Sequence, residues 1–356
     1  MSRGIQFQEE TSIPDPAPAV VGLDIAKNVF QAHGADATGR RVLRRRLRRG
    51  EVAAFFARLP PCLVGIEACP SAHHWARELQ ALGHEVRLIP PQYVKPFVKT
   101  NKNDAADAEA ICEAVVRPTM RFVPVKTVEQ QAAAMLHRTR ALLVRQRTQL
   151  INAVRGHLAE FGLVARKGAR NIRELADLVR DTAPSALPDA GRAMLVLLLE
   201  QVREAQVRIA HVERALEAWA ARSDACRRLM AIPGVGTMSA TALVVAMGDP
   251  SRFRSGRHFA AWLGLVPKQD SSGERERMGG ISKRGDAYLR TLLVHGARSV
   301  TRWRRRSWGW LAGLMARRPT NVAAVAIANK TARTAWALLA RGTTFEFGGA
   351  PATAAA

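Results

Sequence analysis

VVGLDIA, residues 20–26, is a short apolar run with one aspartate near its end. A run of this length, rich in β-branched residues, is a buried strand. VFQAHGAD (29–36) alternates apolar and polar residues and turns at Ala37-Thr38-Gly39, so RRVLRRRL (40–47) is placed to return antiparallel. CLVGIEA (62–68) is a second buried run, followed by a helical pattern over 71–82. EVRLIP (85–90) gives a further strand and DAADAEAICEAVV (104–116) a helix. A meander followed by strand–helix–strand units predicts a mixed sheet flanked by helices, an α/β domain over residues 18–123.

Downstream the chain reads as helical. Residues 127–161 lack proline and place Leu143, Leu150, Val154, Leu158 and Phe161 on one stripe. Arg138, Arg140, Arg145, Arg147 and Arg155 take the other faces. A short helix is expected at 172–181. Between Leu195 and Trp219, the residues Leu195, Leu198, Val202, Ala205, Ile209, Val212, Leu216 and Trp219 recur at alternating spacings of three and four. That is an a/d seam, which fits a coiled coil with the 127–161 helix, a coiled coil with another subunit, or a helix buried in a bundle. The helical middle spans 124–223. From 224 to 345 a second, mainly helical domain begins with RRLMAIPGVGTMSATALVVAMGD (227–249), a helix, a tight turn and a helix. Gly234 and Gly236 lie in the turn. As a helix-hairpin-helix its backbone N–H groups would hold a DNA phosphate; as a plain αα-turn they would only reverse the chain. Arginine and tryptophan interleave in RSVTRWRRRSWGW (298–310), a pattern that suits backbone contact with base stacking and equally suits a solvated basic helix face. Residues 1–17 and 346–356 are expected to be disordered tails.

Composition narrows the partner. Among 356 residues, 54 Lys+Arg face 30 Asp+Glu, a formal charge of +24. The excess is mostly arginine, the side chain that grips phosphate bidentately, and points to nucleic acid. Cys62, Cys69, Cys112 and Cys226 form no CxxC pair, so neither a zinc site nor a disulfide framework is expected. His73, His74 and His137 have no ligand spacing. No apolar stretch is long enough for a membrane span and the N-terminus has no apolar h-region, so a cytosolic location without membrane partners is expected. No nucleotide-binding P-loop is present, which argues against ATP-driven chemistry.

Four acids then stand out: Asp24 at the end of the first strand, Glu67 at the end of a possible neighbour, and Asp104 and Asp107 one turn apart on a helix. Carboxylates converging at strand ends bind hard divalent ions, which handle phosphodiesters. Asp104 and Asp107 also suit the acidic first turn of any helix. Far downstream, SSGERERMGGISKRG (271–285) carries Ser272 among glycines and basic residues; alone, its Ser-Gly pair reads as a turn in a DNA-contact loop.

GLDIAK (22–27), GIEACPSAHHWARELQALGHEVRLIPP (65–91) and KTNKNDAADA (99–108) resemble the RuvC-type, ribonuclease-H-fold domain of the DEDD transposases. IPGVG (232–236), GDPSRFRSGRHFAAWLGLVP (248–267) and SSGERERMGGISKRGDAYLRTLLVHGA (271–297) resemble the second, transposase domain of the same family, the bridge-RNA-guided insertion-sequence transposases of family one-hundred-ten. The resemblance runs in order over residues 18–345. It implies that Asp24, Glu67, Asp104 and Asp107 hold Mg²⁺ or Mn²⁺ and that Ser272 is the nucleophile. Ser271 is left as its competitor. It implies DNA and a guide RNA as partners, and a homo-oligomer from dimer to tetramer whose active sites are shared between subunits. Arg275, Arg277, Lys283 and Arg284 are placed to neutralise phosphate charge. After Glu67 the family often has a small Thr-Gly or Ser-Gly turn; here Ala68-Cys69-Pro70 stands instead, and Pro70 is expected to start the next helix.

Three functions fit these residues. One is a transposase working by serine-linked strand exchange. Another is a metal-dependent junction resolvase or nuclease that uses water. The third is a nucleic-acid-binding scaffold without catalysis.

Overall fold

The protein is described from a computed structural model, which describes residues 15–99, 104–166, 168, 171–270, 277–303 and 309–346. The chain divides into two compact units, 1–127 and 128–356.

In the first unit β1 (Val20–Ile25), β2 (Val29–Ala35) and β3 (Arg41–Arg48) form the meander. Then come α1 (Val52–Arg58), β4 (Leu63–Glu67), α2 (Ala72–Ala81), β5 (Glu85–Ile89), α3 (Pro91–Val94) and α4 (Asp104–Val115). The sheet order is β3-β2-β1-β4-β5. β1 pairs antiparallel with β2, and parallel with β4, so the sheet is mixed as the strand pattern requires. The two faces bury different cores. Val21, Leu23, Phe30, Val64, Ile66 and Leu88 pack with residues of α1 and α2. Val20, Ala35 and Ile89 pack with Ala110, Ile111, Cys112 and Val115 of α4.

α4 lies close on its face because two strand positions carry no side chain. Gly22 and Gly65 are register partners on β1 and β4. A Cβ on Gly22 would meet Ala108 O at 2.1 Å and Cys112 N at 2.4 Å; one on Gly65 would meet the Val115 and Ile111 side chains. Glycine inside a strand is the usual mark of such a backbone approach. Ala72 is the first residue of α2, rather than Pro70: Cys69 N–H bonds to Glu67 O, and Ser71 takes φ +72° at the N-cap. The turn after Glu67 thus sets the helix start.

The second unit is built on the pair α5 (Val128–Glu160) and α7 (Asp189–Arg222), with α6 (Ile172–Asp181) between them in sequence. The pair is antiparallel: Arg140 meets Glu213 at 2.6 Å, and the Phe161 ring lies 3.5 Å from where a Cβ of Gly191 would sit. The Leu195–Leu216 seam is largely buried, with Val154 and Leu158 of α5 in the same cluster as Leu195 and Val202. Phe161, just past the end of α5, is partly open to solvent, yet its ring still faces Gly191 of α7.

A second core gathers α8 (Asp224–Met230), α9 (Thr237–Met247), α10 (Gly256–Trp262), α11 (Ala287–Trp303), α12 (Gly309–Arg317) and α13 (Thr320–Arg341). Between α10 and α11 stands a two-stranded hairpin, β6 (Pro267–Gln269) and β7 (Met278–Ile281). His137 of α5 is buried between Tyr288 Oη and Thr241 Oγ1, at 3.1 and 3.0 Å. Burial, with the Arg140 charge, pushes its pKa down to about 4, so it is a neutral packing residue. Among the described residues no helix is long and apolar enough to cross a membrane. All four cysteines are free thiols, and all but Cys69 are buried.

Candidate active site

The strand register decides what stands beside Asp24. Side chains alternate across a strand, so Gly22 and Asp24 share the face on which α4 packs, as do Gly65 and Glu67. Leu23 pairs with Ile66, which sets Asp24 and Glu67 side by side at the C-terminal ends of parallel strands. α4 crosses the same face, and its first turn carries Asp104 and Asp107. Oxygens of Asp24, Asp104 and Asp107 all lie within 4.8 Å of one another. Glu67 stands outside that trio but near enough for its charge to act on Asp24.

The electrostatics follow from the crowding. Partial burial, then the charges of Asp107, Asp104 and Glu67, push the Asp24 pKa up to about 6 from an ordinary 3.8. Cys69 is raised as well, by burial first and then by Glu67 and Asp24. An all-oxygen set of clustered carboxylates fits a hard divalent cation, and suits zinc or copper poorly.

In the second unit the segment holding Ser272 joins β6 to β7. Ser271, Ser272 and Arg275 lie outside the described residues. The base of the hairpin is described: Asp270 N–H donates to Arg277 O at 2.9 Å. Lys283 and Arg284 follow β7 in a backbone clamp. A Cβ on Gly264 would sit 2.2 Å from Arg284 O, and one on Gly285 2.0 Å from Trp262 O. Arg290 donates from Nη1 to both Leu263 O and Arg284 O, each at 2.9 Å. Lys283 has φ +55°. Among the described residues the non-glycine positions with positive φ are Ser71, just after Glu67, and Lys283, just after β7. Such strain persists only where the surroundings impose it, and it clusters at functional sites.

The IPGVG turn has its own cause. Gly234, at φ +83°, presses on α11, where a Cβ on Gly296 would lie 2.0 Å from Gly234 O. Gly236 precedes α9 and faces open space. Packing thus accounts for the first glycine, while the second leaves the N-terminus of α9 approachable. Trp303 is exposed, and Arg304–Trp308 lie outside the described residues.

The family model described as "Transposase", of the DEDD IS110 type, matches residues 21–162, and the one described as "Transposase IS116/IS110/IS902 family" matches 226–309. A "Probable family 20 transposase" of Pseudomonas aeruginosa is 54% identical, covering 92% of this chain and 98% of the relative. This chain belongs to the IS110 family of transposases. The transposase for insertion sequence element IS1111A of Coxiella burnetii is 42% identical over 92% of each chain. The one for IS1328 of Yersinia enterocolitica is 41% identical over 93% of this chain and 99% of its own. A shorter match, 38% over 66 residues, is to a "Pilin gene-inverting protein" of Moraxella bovis. As an IS110-family transposase the chain is a DNA-acting enzyme, and its acid trio lies inside the DEDD segment.

Reading residues alone missed Gly22, Gly65 and the β6–β7 hairpin. The glycines carried a legible signal, since strand-interior glycine marks close backbone approach. The hairpin carried none: PKQ and MGGI are short, exposed and without alternation.

Proposed function

We propose that this transposase moves its element by serine-linked strand exchange, with Asp24, Glu67, Asp104 and Asp107 holding Mg²⁺ or Mn²⁺ and Ser272 as nucleophile. The observation that carries the metal half is the trio of carboxylate oxygens within 4.8 Å, assembled from a strand end and a helix turn far apart in sequence. A divalent ion bound there would supply Lewis-acid stabilisation of charge at the reacting phosphate.

The chain's own residues do the rest. Ser272 Oγ attacks the phosphorus of a DNA phosphodiester, the bond from phosphorus to the 3′ oxygen breaks, and over the step the hydroxyl proton passes to the departing 3′ oxygen. The product is a phosphoserine ester and a free 3′ hydroxyl. A second 3′ hydroxyl reverses the step and reseals the strand. One phosphodiester is exchanged for another, so no ATP is needed. Lys283 and Arg284, at the foot of the hairpin, are the cations for the developing phosphate charge, with Arg275 from the loop itself. Gly236 and the N-terminus of α9 would take a backbone phosphate as the second half of a helix-hairpin-helix, with Gly234 shaping the turn.

The domains read as a ribonuclease-H-like RuvC-type domain over 18–123, a coiled-coil region over 124–223 and a transposase domain over 224–345. A structured guide RNA and an assembly of two to four chains complete the proposal, resting on the resemblance and on a formal charge of +24.

The test is a denaturing gel for a covalent protein–DNA adduct. Full-length protein, purified with RNA from the element's non-coding flank, is given labelled junction DNA and Mg²⁺. An adduct lost in both Ser272→Ala and Asp24→Ala is the expected result. Cleavage without adduct that survives Ser272→Ala would instead mean a nuclease using water.

A further inference from the structure

The arginines around β3 divide by face. Arg45 and the following Arg49 are taken up by rings of the α1–α2 side: Arg45 lies 5.9 Å from the Phe55 centroid, and Arg49 5.4 Å from Trp75 and 5.8 Å from Phe30. Arg44, Arg46 and Arg48 alternate to the other side. All three are exposed, and among the described residues none forms an ion pair or a ring contact.

Register ties these arginines to the acids. Arg46 pairs with Gln31, and Gln31 with Asp24. Glu67 stands beside Asp24 on the next strand. Arg46, Gln31, Asp24 and Glu67 thus form one row across four strands, on the face where α4 packs. Neighbouring strands are about 4.8 Å apart, so the Arg46 backbone is about 10 Å from that of Asp24. Arg48 lies one step further along β3, toward the end of the sheet that carries the acids, and Lys27 is exposed in the adjoining turn. Arg44 lies one step the other way, beside His33. α4 packs on β1, β2, β4 and β5, and Arg44, Arg46 and Arg48 of β3 stay exposed.

Charge on an edge strand can simply block edge-to-edge pairing. That role has no preference between faces, whereas here one face's arginines stack on rings and the other's remain open. A phosphate chain approaching four carboxylates is repelled, and a row of guanidinium groups beside them supplies the counter-charge.

We propose that Arg46 and Arg48, with Arg44 and Gln31, form a ledge that holds the phosphate backbone of the DNA strand led into the carboxylate cluster. The proposal rests on the metal-site reading above, because the acids fix where the reacting phosphate lies. Arginine binds such phosphates bidentately, and Gln31 adds an amide donor between the ledge and Asp24.

The experiment measures affinity of the full-length protein for a labelled element-end duplex, by fluorescence anisotropy in EDTA across a KCl series. Arg44→Gln/Arg46→Gln/Arg48→Gln is compared with wild type and with Arg203→Gln/Arg214→Gln/Arg222→Gln, which removes the same charge from the exposed side of α7. The ledge variant is expected to lose at least about tenfold in affinity at 0.1 M salt, with a log K against log salt slope smaller by about 2 to 3, at about 0.9 per phosphate contact. The α7 variant should lose far less. Equal losses in the two variants, or an unchanged slope for the ledge variant, would overturn the proposal. So would an unchanged DNA slope with a reduced slope for the element's flanking RNA, which would assign the ledge to RNA. Thermal melting and Mn²⁺ calorimetry should leave the ledge variant equal to wild type. If wild-type protein binds no Mn²⁺, the metal-site reading fails, while the salt slope still reports on the ledge.

Discussion

The two candidate reactive regions are held in different ways. In the first unit the carboxylates themselves are fixed, because Gly22 and Gly65 let α4 press its backbone on the sheet and so set Asp104 and Asp107 against Asp24. In the second unit the described fixation lies at the foot of the hairpin, where Gly264 and Gly285 clamp Lys283 and Arg284 against the end of α10. A cation site depends on several oxygens keeping their mutual distances, so each ligand must be locked. Attack by the proposed nucleophile, Ser272, needs equally close placement on its phosphate, and the clamp at the foot of the hairpin is the part of that placement the described residues supply.

The comparison breaks most sharply if the two regions are not parts of one reaction. If Asp24 holds the metal and Ser272 is the nucleophile, as proposed, Asp24→Ala and Ser272→Ala should each lower strand exchange by at least about a thousandfold. Adduct formation on a denaturing gel measures this, and a Ser272→Ala protein that still cleaves at the wild-type rate would separate the regions. Mixing the two inactive chains sharpens the test. If active sites are shared between subunits, the mixture recovers part of the activity; a mixture as inactive as its parents would place both halves in one chain.

A smaller effect probes the lock itself. Gly22→Ala inserts a methyl group 2.1 Å from Ala108 O, which is backbone and has no rotamer to yield. α4 must lift, at a cost of about 1–3 kcal/mol. A misplacement near 1 Å should lower strand exchange by about a hundredfold. Gly236→Ala, where a Cβ meets nothing within 4 Å, should leave thermal stability near wild type, and any loss there should appear in DNA affinity. Equal melting temperatures for Gly22→Ala and wild type would show that α4 is not locked as described.

Much of the first unit was legible in the sequence, because buried strands write themselves as apolar runs and the acids fall at their ends. The β1, β4 and β5 runs, the return of β3 and the α4 helix follow from VVGLDIA, RRVLRRRL, CLVGIEA, EVRLIP and DAADAEAICEAVV. The α7 seam was legible for the same reason, and its partner in the structure is α5. What stayed hidden depends on register or on backbone contact. Nothing in RRVLRRRL alone says that Arg46 shares a row with Asp24 while Arg45 turns away to Phe55. Nothing in IPGVG says that its first glycine is needed by Gly296, 62 residues later. Pro70 suggested a helix start that the turn at Cys69 and Ser71 displaces to Ala72.

The smallest effect concerns the energetic cost of the cluster. The Asp24 pKa in the folded protein, about 6, lies above its ordinary 3.8. Between those values the folded chain holds the proton more tightly than the unfolded chain, so the metal-free first unit loses stability as pH rises from about 4 to about 6. Above pH 6 the penalty is complete. Because the carboxyl is only half-buried, screening reduces it to on the order of 1 kcal/mol. Asp24→Asn removes that penalty, and at pH 7.5 in EDTA it should melt a few degrees higher than wild type, with no difference left below pH 4. Adding Mn²⁺ should reverse the order if Asp24 is a ligand as proposed, since only the wild type retains it. Wild-type Mn²⁺ affinity should in turn fall as pH drops below 6, where the proton competes for the same oxygen. A variant less stable than wild type in EDTA would mean that Asp24 is held by favourable contacts, and that the acids are not crowded together to await a cation.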